Sequence, residues 1–235
     1  MSSIKEKRYD DVYCHTKVSY EQPHGPIAFI YRRLKKFEIT RYKAVYDLLP
    51  SEGEKLLDVG CGDGEFILMC KSKFKECYGI DVSSLRVETA KNRFKEENNI
   101  HIMQYDVDEG LPFSDQFFDV VTCIAVLEHV FNPPDVVKEI NRVLKKGGFF
   151  ILQVPNIAWL PHRIDLLLGK LPITDGFYMG ADWEHLHWFT NSSLLELLLK
   201  TGFTIETISC SGIFAKYRRL WISAIGGDLI VKSEK

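Results

Sequence analysis

No stretch of this 235-residue chain offers the roughly 20 consecutive apolar residues that a membrane-crossing helix needs. The first thirty residues are polar, with no apolar run and no cleavage pattern, which argues against a signal peptide. An excess of positive charge is also missing: the formal charge is −2 and the sequence pI about 6.4. That balance gives no global field to draw the protein onto a phosphate backbone, so nucleic acid is disfavoured as a partner. The six cysteines, Cys14, Cys61, Cys70, Cys77, Cys123 and Cys210, contain no Cys-x-x-Cys pair. Several sit inside apolar strand-like runs, as reduced thiols in a cytoplasmic protein would. There is no internal repeat and no low-complexity segment.

What is present is the ordinary balance of a globular protein, 46% apolar and 26% charged, in a chain long enough for one α/β domain with a real core. Residues 1–26 read as an arm closed by Pro23-His24-Gly25-Pro26, and residues 27–235 as the domain. From Ile27 to Leu49, apolar positions at spacings of three and four predict an amphipathic helix, with Arg32, Arg33, Lys35 and Lys36 on its solvated face or against an anionic acceptor. Strands then alternate with helices: Lys55–Val59, Cys77–Ile80, Ile100–Tyr105, Phe118–Ile124 and Phe149–Val154. This rhythm predicts a mostly parallel sheet with helices on both faces. Between the last two, Asp135 is the expected N-cap of a helix closed by Gly147 and Gly148. Residues 156–190 break the rhythm, holding an apolar helical piece from Trp159 to Leu168, and read as a lid. A helix over Ser192–Lys200 and strands over Phe203–Ser209 and Asp228–Val231 complete the chain.

The chemistry concentrates at strand ends. Gly60, Gly62 and Gly64 form Gly-x-Gly-x-Gly, tighter than the Gly-x-Gly-x-x-Gly of dinucleotide folds. Asp58 and Asp63 flank the turn. Carboxylates beside a helix N-terminus repel a pyrophosphate but welcome an ammonium and a sulfonium, which favours S-adenosylmethionine (SAM) over NAD. Asp81, 21 positions after Gly60, ends the second strand and suits ribose hydroxyls. Asp106 ends the third strand and suits an adenine amine. Either acid alone could be a helix cap, but three successive strand ends carrying Asp58, Asp81 and Asp106 line one sheet edge.

The segments LLDVGCGDGEF, YGID, QYDVDEGLPF, FDVVTCIAVLEHV and INRVLKKGGFFILQVP resemble the successive motifs of class I SAM-dependent methyltransferases. The resemblance implies a Rossmann-like three-layer αβα sandwich whose seven-stranded, mostly parallel sheet has an antiparallel last strand. It also implies SAM, with S-adenosylhomocysteine as product, held by Asp58, Gly60, Cys61, Gly62, Asp63, Asp81, Val82, Asp106, Val107 and Ile124. Residues 147–205, with PNIAWLPHRIDLLLGKLPIT and WEHLHWFT, are similar to the MetW-type branch, linked to methionine biosynthesis.

Methyl transfer from a sulfonium relies on positioning, and a base is needed only for a poor nucleophile. Glu128, His129, His185 and His187 are the candidates, for O-methylation of a hydroxyl or carboxyl on a small-molecule acceptor. Some metal-assisted O-methyltransferases use Glu-x-x-Glu-His after strand four, but Ala125 replaces the first acid here, so no metal is expected. Asn132-Pro133-Pro134 resembles an amino-methyltransferase signature, yet it falls eight positions beyond Ile124 and reads as a helix entry. Phe177, Tyr178, Trp183, Trp188 and Phe189, with Arg218, Arg219 and Trp221, either wall the acceptor pocket or fold the lid. A non-catalytic SAM-binding partner of a biosynthetic enzyme and an RNA methyltransferase are the alternative functions. A protein partner or a homodimer stays open.

Overall fold

The computed structural model describes residues 33–172 and 185–235. The expected arm, Arg32, Cys14, Phe177, Tyr178 and Trp183 lie outside the described residues. The central sheet comprises β1 (Gly53–Val59), β2 (Phe74–Asp81), β3 (Ile100–Gln104), β4 (Phe118–Ile124), β5 (Leu144–Pro155), β6 (Thr204–Ser209) and β7 (Asp228–Glu234). Its order is β3-β2-β1-β4-β5-β7-β6, with β7 antiparallel to both neighbours and the other pairs parallel. Reversal of order between β1 and β4 opens a crevice beyond their carboxyl ends, the usual ligand position in such sheets.

Strand side chains alternate between faces, so a nearly continuous apolar run is stable only if both faces are covered. Leu57, Val59, Val121, Cys123, Phe150, Leu152, Leu229 and Val231 pack on one face with Val136, Val137 and Ile140 of α4 (Pro133–Val143) and Leu194 and Leu198 of α6 (Asn191–Lys200). Their neighbours Leu56, Val120, Ile124, Ile151 and Ile230 pack on the other, with Ala44 and Val45 of α1 (Arg41–Tyr46) and Phe66, Ile67 and Cys70 of α2 (Glu65–Cys70). The sandwich is completed by α3 (Ser84–Arg93), capped by Ser83, while α5 (Leu160–Leu167) follows β5 at the surface. Among the described residues the five cysteines are free and buried. No helix among them is long and apolar enough to cross a membrane.

Three local expectations are corrected. The helix expected through Leu49 is interrupted: Lys35–Phe37 is a 3₁₀ turn, Glu38–Ile39 pairs with Gly212–Ile213, and α1 begins only after Thr40. Thr40 stops the pattern because its Oγ1 accepts from Lys43 N at 3.2 Å as an N-cap, and the Phe37 and Phe214 rings stack at 5.3 Å across the small sheet. Asn132, not Asp135, caps α4, with Pro133 at its first position. Asp135 instead accepts from Asn132 Nδ2 at 2.6 Å. Finally, α4 ends before its glycines: Leu144 pairs with Phe118 and already belongs to β5, while Lys235 Nζ donates to the freed Leu144 carbonyl at 2.8 Å.

Candidate cofactor and acceptor site

The turn after β1 is fixed by backbone bonds: Gly60 N and Cys61 N both donate to Ile80 O, at 2.8 and 3.0 Å. Gly60 has φ +72°, and a Cβ there would stand 2.1 Å from Val126 Cγ2. Glycine is therefore required on two counts, conformation and the close approach of the loop after β4. The Cys61 thiol is buried beneath the turn against Gly79. Burial pushes its pKa well up, so Cys61 can offer a ligand only its backbone.

Asp81 holds two pieces of this edge together. Its Oδ2 accepts from Gly62 N and its Oδ1 from Ser83 N, both at 2.9 Å. The neighbouring Val82 carbonyl accepts from Gln104 Nε2. Asp106 caps a short 3₁₀ turn, Oδ1 accepting from Asp108 N at 3.1 Å, and Val107 behind it is buried. Asp63 sits at the rim, its carboxylate 3.1 Å from Arg93 Nη2. Asp58, Gly60, Gly62, Asp81 and Asp106 thus cluster at the ends of β1, β2 and β3. Ile124 reaches the same edge from β4.

Asp58 differs from the other acids in being buried, 3% exposed. Desolvation raises its pKa from 3.8 to about 7; Thr122 Oγ1, donating at 2.7 Å, opposes that rise, and the Asp81 charge adds to it. A dry carboxyl in this position fits a cationic group, as an amino-acid ammonium would be. Because its folded pKa lies above the unfolded one, the protein without ligand keeps the benefit of a protonated Asp58 near pH 4 and loses it as pH rises through 7. Asp58→Asn removes that loss. The stability gain of the variant over the wild type should grow between pH 4 and pH 7 and level off above, reaching on the order of 4 kcal/mol for a shift of about three units. A stability difference flat across that range would contradict the assignment.

The loop after β4 borders the same crevice. Ala125 has φ +56°, a conformation L-residues seldom adopt, and its N donates to Gln153 O at 3.0 Å. That turn aims Val126 at Gly60 and carries Glu128 and His129 beside the crevice. Leu186 N and His187 N donate to Glu128 O at 2.8 and 3.1 Å, which places His185 Nε2 3.9 Å from Glu128 Oε1, both side chains buried. The His129 and His185 rings lie 4.7 Å apart. Glu128, His129 and His185 therefore come together, while His187 turns away, its Nε2 3.3 Å from Phe131 O. The three offer ligand atoms within 4.8 Å of one another, a donor set that a divalent cation could also use. Phe189 is buried and bridges Asn156, whereas Trp188 and Trp221 are exposed.

Sequence reasoning missed Thr122, Val126 and Gln153. Thr122 was visible as a lone hydroxyl inside the run Val120 to Ile124, in register with Asp58. Gln153 pairs with Ile124, and its buried Oε1 has no hydrogen-bond partner among the described residues. A separate groove of about 530 Å³, lined by Pro50, Lys73, Lys145 and Phe149, lies at the opposite edge of the sheet, away from these groups.

Four similarities bear on this geometry. The chain is 29% identical over 153 residues to a demethylmenaquinone methyltransferase of Staphylococcus haemolyticus, covering 64% of this chain and 62% of that protein. It is 34% identical over 106 residues to a ubiquinone biosynthesis O-methyltransferase of Alkalilimnicola ehrlichii, covering 45% and 43%. The chain thus spans less than two thirds of the length of these relatives. A solved SAM-dependent methyltransferase from Listeria monocytogenes superposes with a TM-score of 0.66 at 20% identity, covering 83% of this chain and 96% of that one, a likeness of fold. A family model described as a methyltransferase domain matches residues 31–208, most of the chain, so with its class I fold the protein belongs to the SAM-dependent methyltransferase family.

Proposed function

We propose that the protein methylates an oxygen, a hydroxyl or carboxyl, of a small-molecule acceptor. The observation that carries this reading is the Glu128–His185 pair, buried beside the loop whose Val126 contacts the cofactor turn. SAM, when bound, supplies the methyl group as a sulfonium. Asp81 and Asp106 are suited to its ribose and adenine, Asp58 to its ammonium, and Asp63, Val82, Val107 and Ile124 to the surrounding walls. His185 takes the acceptor's proton as oxygen attacks, and the Glu128 carboxylate steadies the imidazolium that forms. His129, its ring tilted against that of His185, shapes the approach. The two relatives, a demethylmenaquinone methyltransferase and a ubiquinone biosynthesis O-methyltransferase, support a quinone-type ring as the acceptor class.

The test is methyl incorporation from labelled SAM into a panel of phenols, quinols and carboxylic acids, before and after exhaustive dialysis against EDTA. Methyl ethers or esters should form at a rate that EDTA leaves within about twofold, because the base chemistry needs no metal. Activity lost to EDTA and restored by a divalent cation would reassign Glu128, His129 and His185 as metal ligands. SAM binding with no product across the panel would favour a regulatory SAM-binding role.

A further inference from the structure

The helix α5 is inside out. Leu160, Ile164 and Leu167 recur at the four- and three-residue spacings of one helical stripe and are 44, 48 and 85% exposed, and Leu168 and Leu171, just past the helix end, are each 67% exposed. The side chain α5 buries is a polar one, His162, 8% exposed, with Nδ1 3.3 Å from Asn156 O. A surface helix of a globular protein normally turns its leucines inward and its polar residues out. Leucines left outward at this density mark a surface that meets something apolar.

The stripe does not stand alone. Arg163 Nη2 donates to Ser223 O at 3.0 Å and Asn156 Nδ2 to Gly226 O at 2.8 Å, which fastens α5 beside the turns between β6 and β7. Those turns expose Tyr217, Leu220 and Trp221, 70, 87 and 62%. Residues 156–172 and 211–227 together carry five cations, Arg163, Lys170, Lys216, Arg218 and Arg219, against one carboxylate, Asp165, in a chain whose net charge is −2. Positive charge is thus concentrated where the apolar side chains are exposed. Leucines flanked by aromatic and cationic residues match the interface of a bilayer bearing anionic headgroups: the leucines enter the acyl boundary, and the cations stay at headgroup level. A second copy of the same patch would bring like charges together.

We propose that α5 and the adjoining cationic turns dock the protein on the surface of an anionic lipid bilayer. α5 follows directly from the carboxyl end of β5, so the docked face lies on the acceptor side of the sheet, where an acceptor held in the bilayer could be presented to the site. Docking is measured without SAM or acceptor, so its outcome is independent of the methyl-transfer reading.

The experiment is co-sedimentation of the full chain with vesicles of phosphatidylcholine alone and of phosphatidylcholine mixed with phosphatidylglycerol. Binding should require phosphatidylglycerol and weaken with added salt. The double variant Leu167→Ser/Leu168→Ser and the charge reversal Lys216→Glu/Arg219→Glu should each weaken it about tenfold or more, with thermal unfolding unchanged because the substituted side chains are exposed. Equal sedimentation with both vesicle types, or variants that bind as the wild type does, would overturn the proposal. So would absence of vesicle binding together with a wild-type dimer that the leucine variant dissociates, since the stripe would then be a protein interface.

Discussion

Asp81→Ala is expected to weaken SAM binding by about 10²- to 10⁴-fold. Two losses combine. In the proposed site the carboxylate accepts both ribose hydroxyls, and two charge-assisted hydrogen bonds are worth roughly 1.5–3 kcal/mol each. The same carboxylate also receives Gly62 N and Ser83 N at 2.9 Å, so its removal loosens both the glycine turn and the start of α3. The variant should unfold at a lower temperature even without ligand. Asp81→Asn separates the contributions: its amide oxygen can accept one of the two backbone N–H groups, but its NH₂ meets the other donor to donor. Calorimetric titration should place Asp81→Asn between wild type and alanine. Unchanged affinity in Asp81→Ala would remove this residue from the cofactor site.

His185→Ala should lower kcat by about 10²- to 10⁴-fold, the usual contribution of a placed general base. SAM affinity should change little, because His185 reaches the site from the acceptor side. The segment itself should stay in place, since Leu186 and His187 hold Glu128 O through their backbone N–H groups. Glu128→Gln tests the partner, removing the charge that steadies a protonated imidazole 3.9 Å away. It should lower kcat by less than His185→Ala does, because the base remains and only the counter-charge to the imidazolium is lost. A merely structural role would instead change KM and thermal stability together with kcat.

The clustering of the acidic strand ends was legible in the sequence because it is local. Each of Asp58, Asp81 and Asp106 stands at the end of a strand that its own alternation reveals, and parallel strands put such ends on one edge. The antiparallel last strand followed from resemblance, and pairing of β7 with β5 and β6 bears it out. What was not legible depends on contacts between distant segments. The Ile27–Leu49 pattern looked helical throughout, but Glu38–Ile39 finds strand partners in Gly212–Ile213, far along the chain. The four candidate catalytic residues looked equivalent until backbone bonds from Leu186 and His187 to Glu128 turned one histidine inward and the next outward. Thr122 and Gln153 occupy interior strand positions that a pattern of apolar residues absorbs without comment. Likewise α5 gave an apolar signal from which burial would ordinarily be inferred, and only the fold shows which face is outward.

In the proposed site the acidic strand ends and the glycine turn together hold SAM. Calorimetric titration of the wild-type chain with SAM, S-adenosylhomocysteine and NAD tests it most directly. Saturable binding of one SAM or S-adenosylhomocysteine per chain, with no heat from NAD, is the predicted result. Binding of NAD in their place, or no binding of either adenosyl ligand, would contradict the account.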